Sequence, residues 1–309
     1  MSQYRIRRMW SVLAILMALF GSTPVKAVNW ATLPEIHKRA GTFIANGTEA
    51  TPVVLNGELL IVHFDRIASH GTQFRILRRD RTVVATVPFA YGLGSALVVG
   101  SRLYVFGSSD WGIANNHVAM MWSDDLVTWS TPVRVLDAPA GYSIFNTSVA
   151  TAPTGYVMMY ETNEAVAFTG RFAVSADLTA FTPTGALFQP TTYAACPTIR
   201  YAEDGWYFIT YLRTPNGPGT TPFVTFAART RDFQNFEYFA GNSKWPNTTQ
   251  VLSPTSFPSE GTNNSDVDWI EYNGELILTY AVGDQRTWTN VRTAVYWGSF
   301  LDFYHEFWP

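Results

Sequence analysis

At 309 residues, 47% hydrophobic and 15% charged, the chain has a globular composition and enough length for a large core. A net charge of −3 offers no basic field, so no nucleic-acid partner is expected. The one cysteine, Cys196, excludes an internal disulfide, and the fold must rest on its packing.

Residues 1–27 read as a secretory signal peptide. Arg5, Arg7 and Arg8 form a positive n-region, Met9–Phe20 is an apolar run, and Val25-Lys26-Ala27 supplies a small-residue cleavage site. The apolar run is short for a membrane span, and no later segment could cross a bilayer. The expected mature protein is residues 28–309, a single domain, secreted or periplasmic in a bacterium. Oligomeric state is not legible.

Five hairpins then follow in chain order. They are TPVVLNGELLIVHF from Thr51, SALVVGSRLYVF from Ser95, NTSVATAPTGYVMMY from Asn146, CPTIRYAEDGWYFITY from Cys196 and SDVDWIEYNGELILTY from Ser265. Each is a strand, a polar or Gly turn, and a second strand rich in Tyr, Phe, Leu and Val. Asn56-Gly57 and Asn273-Gly274 are strong hairpin turns, because a type I′ turn needs positive φ at both central positions.

A second motif recurs between them: SDDLVTW at Ser123–Trp129, SADLTAF at Ser175–Phe181 and TRDFQNF at Thr230–Phe236. Ser or Thr and Asp are expected to bond local backbone amides in a turn, and the following aromatic to pack between neighbouring units. In the first unit the match is poor, Arg78–Thr82 being at best a relic. The last copy, WGSFLDF at Trp297–Phe303, keeps the aromatics, and a short helix is expected to start at Ser299 as its N-cap. A repeat of about 56 residues with four short strands means a propeller blade. The fold class predicted is all-β: a five-bladed β-propeller with four-stranded blades around a central channel. The segment around Lys38–Ile44 is expected to supply the missing outer strand of the last blade.

In a propeller the start of each inner strand and the end of the next strand share one rim. The hairpin turns fall on the other rim and show ordinary turn chemistry. The first rim collects Glu49, Asn146 and Asn264 with Asp266 before inner strands. It also collects Asp65-Arg66, Asp110 with Trp111, Glu161, Arg213, and Asp284 with Arg286 after second strands. Asp266 and Asp268 are two residues apart, hence on one face of a strand. Asp266 is expected to point into the channel mouth and Asp268 to lie one step deeper. A buried carboxylate needs a partner, and Arg200, Arg213 and Arg286 are candidates.

These blade motifs resemble the secreted five-bladed β-propeller glycoside hydrolases and their relatives: families 43, 32, 68, 117 and 130. The carriers are Ser123–Trp129, Ser175–Phe181, Cys196–Tyr211 and Asn263–Gln285, and the likeness covers most of the mature chain. The resemblance implies a base Asp heading the first blade, a second Asp that tunes pKa, and an acidic Glu further on. At the first place this chain has Thr51-Pro52, with Glu49 two residues earlier on the same face. At the second Asp it has Asn146. At the acid, two residues before a Pro, it has Ala195 in Ala195-Cys196-Pro197.

Glycoside hydrolysis needs an acid for the leaving oxygen and a base or nucleophile opposite it; a wide separation gives inversion. The expected base is Asp266 or Glu49. The expected acid is Glu161, following the apolar VMMY run, where burial raises a carboxyl pKa. Asp110, Trp111, His117, Asn146, Arg213, Asn264, Asp268, Asp284 and Arg286 are expected to contact a carbohydrate substrate. No His, Cys and Asp spacing suits a metal, so no cofactor is expected, a structural Ca2+ in the channel being left open. His63 and Cys196 read as core. The expected activity is hydrolysis of a plant, algal or fungal polysaccharide; the alternative is a carbohydrate-binding propeller without hydrolysis.

Overall fold

Each hairpin forms where its turn chemistry places it. Asn56-Gly57, Asp204-Gly205 and Asn273-Gly274 all take positive φ at both residues, which matches the twist of the flanking strands. The computed structural model describes residues 36–65, 73–109, 116–166, 168–214, 221–244, 250–252, 258–285 and 287–309.

Five antiparallel sheets result. Blade 1 holds β3 (Ala50–Leu55), β4 (Glu58–Asp65), β5 (Gln73–Arg78) and β6 (Val83–Pro88). Blade 2 holds β7 (Tyr91–Val99), β8 (Arg102–Ser109), β9 (His117–Ser123) and β10 (Val133–Asp137). Blade 3 holds β11 (Ile144–Ala152), β12 (Gly155–Thr162), β13 (Thr169–Ser175) and β14 (Thr182–Phe188). Blade 4 holds β15 (Ala195–Tyr201), β16 (Tyr207–Arg213), β17 (Val224–Thr230) and β18 (Phe236–Tyr238), with β19 (Gln250–Leu252) also paired to β17. Blade 5 holds β20 (Asn263–Tyr272), β21 (Glu275–Gly283) and β22 (Thr289–Tyr296). Its outer strand comes from the other end of the chain, since β1 (His37–Lys38) and β2 (Ile44–Ala45) both pair with β22. The inner strands β3, β7, β11, β15 and β20 neighbour one another in a closed ring. The protein is therefore a five-bladed β-propeller, as the repeat predicted.

The Asp turns bind their own backbone as expected. Asp125 Oδ1 accepts the amides of Val127 (2.9 Å) and Thr128 (2.7 Å). Asp232 Oδ1 accepts those of Gln234 (2.9 Å) and Asn235 (2.7 Å). The aromatic that follows plugs the gap to the preceding blade. Trp129 packs edge-on against Phe74 at 5.1 Å and Phe181 edge-on against Phe106 at 6.3 Å, while Phe236 stacks on Phe172 at 5.7 Å. At the fourth seam a helix does this job. α1 (Phe300–His305) starts at Ser299 with a capping box to Asp302, and Phe303 meets Phe208 at 5.8 Å.

Where β1 joins blade 5, polar groups are buried. Lys38 Nζ donates to Glu260 Oε2 at 2.9 Å, both side chains being almost fully enclosed. Tyr280 donates its hydroxyl to Glu260 Oε1 at 2.8 Å. Burial lowers the Lys38 pKa to about 8 against the opposing pull of Glu260. Among the described residues no helix is long and apolar enough to cross a membrane. The segment read as a signal peptide lies outside the described residues.

Candidate active site

Four of the five inner strands break register at the mouth. The shifts fall between Gly92 and Ser95 in β7, Ile144 and Thr147 in β11, Ala195 and Thr198 in β15, and Ser265 and Asp268 in β20. At three of these bulges a non-glycine residue sits in the left-handed region: Leu93 at φ 52°, Cys196 at φ 47° and Asp266 at φ 50°. A bulge re-aims a side chain at a small cost in strain. Here Leu93, Asn146, Cys196 and Asp266, joined by Glu49 just ahead of β3, line one cavity of about 410 Å³. The bulge also separates Asp266 from Asp268. They do not stand side by side on one pleat: Asp266 faces the mouth, and Asp268 lies below it in the narrow channel.

Glu161 reaches the same cavity from the far end of β12. It is 1% exposed. Its Oε1 accepts Asn146 Nδ2 at 3.0 Å and the backbone amide of Cys196. Its Oε2 has no partner among the described residues. Burial, reinforced by the negative charges of Asp266 and Glu49, pushes the Glu161 carboxyl up to about 8, although the two donated hydrogen bonds pull the other way. Glu161 is thus a neutral acid at pH 7. Thr48 donates its hydroxyl to Glu49 Oε2 at 2.8 Å, and Ser265 donates to Asp266 Oδ2. The Cys196 thiol is pushed well above its ordinary range by burial and by Asp266, Glu161 and Glu49; it stays protonated.

The structure brings together Glu49, Asn146, Glu161 and Asp266 and separates other residues from them. Asp268 is buried, accepts the Trp269 amide at 2.7 Å, and pairs with Arg200, which lies over the Trp269 ring at 5.5 Å. Asn264 is fully buried and accepts Lys38. Arg213 lies over Phe226 at 5.2 Å. His117 meets Asn116 Oδ1 at 2.7 Å and the Tyr91 hydroxyl at 3.3 Å. None of Asp268, Asn264, Arg213 and His117 lines the cavity. Asp284 acts at one remove: its Oδ1 accepts the amides of Thr287 (2.7 Å) and Trp288 (3.1 Å), and those two residues line the wall. Asp110, Trp111 and Arg286 lie outside the described residues.

Sequence reasoning missed the aromatic wall. Phe145 and Phe168 meet edge-on at 4.7 Å, Phe168 and Tyr193 at 5.7 Å, and Trp288 and Gln285 also line the cavity. The lining holds three carboxylates and, among the described residues, no cation. Nor is any group of three or more His, Cys, Asp or Glu among them arranged to hold a metal ion.

No sequence-family profile matches the chain, and no curated protein matches it in sequence. Solved structures do match. A thermostable family-43 glycoside hydrolase superposes with a TM-score of 0.61 at 10% identity, over 83% of this chain and 91% of that one. The GH43 endo-arabinanase from Bacillus licheniformis gives 0.55 at 12% identity, over 82% and 96%. The Bacteroides ovatus xyloglucan PUL protein GH43B gives 0.59 at 11% identity, over 84% of this chain and 54% of its own greater length. The chain shares its fold with these family 43 glycoside hydrolases.

Proposed function

We propose that the protein is a glycoside hydrolase acting on a plant, algal or fungal polysaccharide, with Glu161 as the general acid and Asp266 or Glu49 as the base. The observation that carries this reading is the state of Glu161. It is buried, neutral at pH 7, without a cation among the described residues, and turned toward two further carboxylates in a cavity large enough for a sugar. A general acid needs a pKa near the working pH, and Glu161 meets that requirement in a cavity it shares with Asp266 and Glu49. The aromatic wall offers faces for sugar rings. Similarity of fold to family 43 enzymes agrees with this chemistry but does not by itself assign it.

The resemblance puts the acid at position 195, and this chain has Ala195 there. Glu161 accepts the amide of the very next residue, Cys196. A carboxyl from the neighbouring blade therefore stands at the head of β15. The reaction proposed is inverting: Glu161 protonates the leaving oxygen while Asp266 or Glu49 draws a proton from a water on the opposite face. Secretion after cleavage at Ala27 accompanies this proposal. The second reading, a carbohydrate-binding propeller without hydrolysis, draws on Ala195 and Asn146, where the family pattern has carboxylates.

The test is sugar release by purified residues 28–309 from polysaccharides and aryl glycosides, alongside Glu161→Gln and Asp266→Asn. Release that both variants lose supports the hydrolase and its site. Release that both keep discards the site. Glycan binding without release from any substrate favours the second reading.

A further inference from the structure

Four seams of the ring are closed by an aromatic side chain from the turn or helix after the third strand: Trp129, Phe181, Phe236 and Phe303. The fifth seam, between blades 5 and 1, has none. Blade 1 carries Arg78-Arg79-Asp80-Arg81-Thr82 where blades 2, 3 and 4 carry the Asp turn and its aromatic. The result is a cleft of about 250 Å³. Its floor is aliphatic: Leu59 and Ile61 from β4, Ile277 from β21 and Val295 from β22. The buried apolar residues at this seam are aliphatic and fall into two small clusters; Phe43 packs on one of them and also lines the cleft, and Tyr272 packs on the other.

The rim of the cleft is cationic. Arg39, Arg79 and Arg81 all line it, and among the described residues no carboxylate does. The nearby acids are engaged elsewhere. Asp80 Oδ1 accepts the Thr82 amide at 2.9 Å, and Glu58 pairs with Arg78 at 2.5 Å. Among the described residues none of the three rim arginines meets a carboxylate. Arg81 holds φ at 75°, a conformation that costs a β-carbon residue energy and that persists where structure or function demands it.

We propose that this cleft binds an aryl carboxylate. Its ring would lie on the aliphatic floor beside the Phe43 ring, at the seam that no aromatic from a third-strand turn closes. Its carboxylate would take the planar donor forks of the rim arginines, which match it two bonds at a time. The cleft lies on the flank of the ring and shares no lining residue with the mouth cavity, so the proposal does not depend on the hydrolase reading.

The experiment is titration of the mature chain with benzoate, benzyl alcohol and inorganic phosphate, followed by calorimetry and by amide shifts. Benzoate is expected to bind at least tenfold more tightly than either of the others. Arg79→Gln combined with Arg81→Gly, which keeps the backbone conformation, should weaken benzoate tenfold or more. Thr293→Trp, which fills the cleft from its side, should also abolish binding while the fold, read by circular dichroism, stays intact. Phosphate binding as tight as benzoate would overturn the aryl assignment. Benzoate binding that survives both variants, or no binding to the folded wild type, would overturn the site.

Discussion

The mouth and the floor of the central channel treat buried carboxylates in opposite ways. On the floor Asp268 is given a guanidinium, Arg200, and a backbone amide, although burial still raises its pKa. At the mouth Glu161, Glu49 and Asp266 share one cavity, with hydroxyl, amide and backbone donors but no cation among the described residues. An ion pair such as that on the floor ties two blades together and gains little when removed whole. A buried acid such as Glu161, whose Oε2 has no partner among the described residues, costs stability, and such groups collect where they do chemistry. The difference separates a structural carboxylate from a reactive one within a few residues of the same strand.

The sharpest way to break that contrast is Glu161→Gln. Turnover of unactivated glycosides should fall by about 10²–10⁴-fold. Aryl glycosides with good leaving groups, which need little protonation, should fall far less. Equal losses on both substrate types would show that Glu161 is not the acid. On the floor, Arg200→Met should leave Asp268 buried and alone and cost about 3–5 kcal/mol in denaturant unfolding. Adding Asp268→Leu should restore most of it. A mild effect of the single change would mean that Asp268 does not depend on Arg200 and that the floor and the mouth are not distinguished by this ion pair.

Third is pH. Glu161 is neutral in both folded and unfolded chains below its ordinary value of 4.5. Between there and about 8 the unfolded chain ionises and the folded one does not. Stability is therefore lost as pH rises across that window, by about 1.4 kcal/mol per unit at most. Glu161→Gln should flatten this loss and be the more stable protein at pH 8. The kcat/KM of the wild type should fall above about 8 as the acid deprotonates. The smallest effect sharpens the contrast further. Asn146→Ala removes a bond that favours the charged form, so the Glu161 titration followed by carboxyl NMR should move to higher pH. Glu49→Gln removes a negative neighbour and should move it lower.

The architecture was legible because each blade repeats local chemistry: Asn-Gly turns, Asp turns and an aromatic at fixed offset. So were Glu49, Glu161 and Asp266 as residues of one rim, since strand direction alone assigns rims. The bulges were not. A register shift of one residue leaves no compositional trace, and Leu93, Cys196 and Asp266 are not residues that announce positive φ as glycine does. Alternation therefore placed Asp266 and Asp268 on one face, where the bulge turns them apart. The wall of Phe145, Phe168 and Tyr193 was also hidden. Its members come from two blades, and in the sequence they read as ordinary core aromatics.

The fifth blade joins Lys38 to Glu260, 222 positions away. A ring closed this way cannot be completed by local contacts, and pairing over such a separation is slow because the loop entropy is lost before the contact rewards it. Blades 1 to 4 can each form from contiguous chain, whereas blade 5 must wait for β22 to exist before β1 and β2 can dock. Until then β22 is an open edge, able to pair with a second molecule. The last step of folding is thus also the step most exposed to misassembly, and the polar clasp of Lys38, Glu260 and Tyr280 is completed only when β1 docks in the right register.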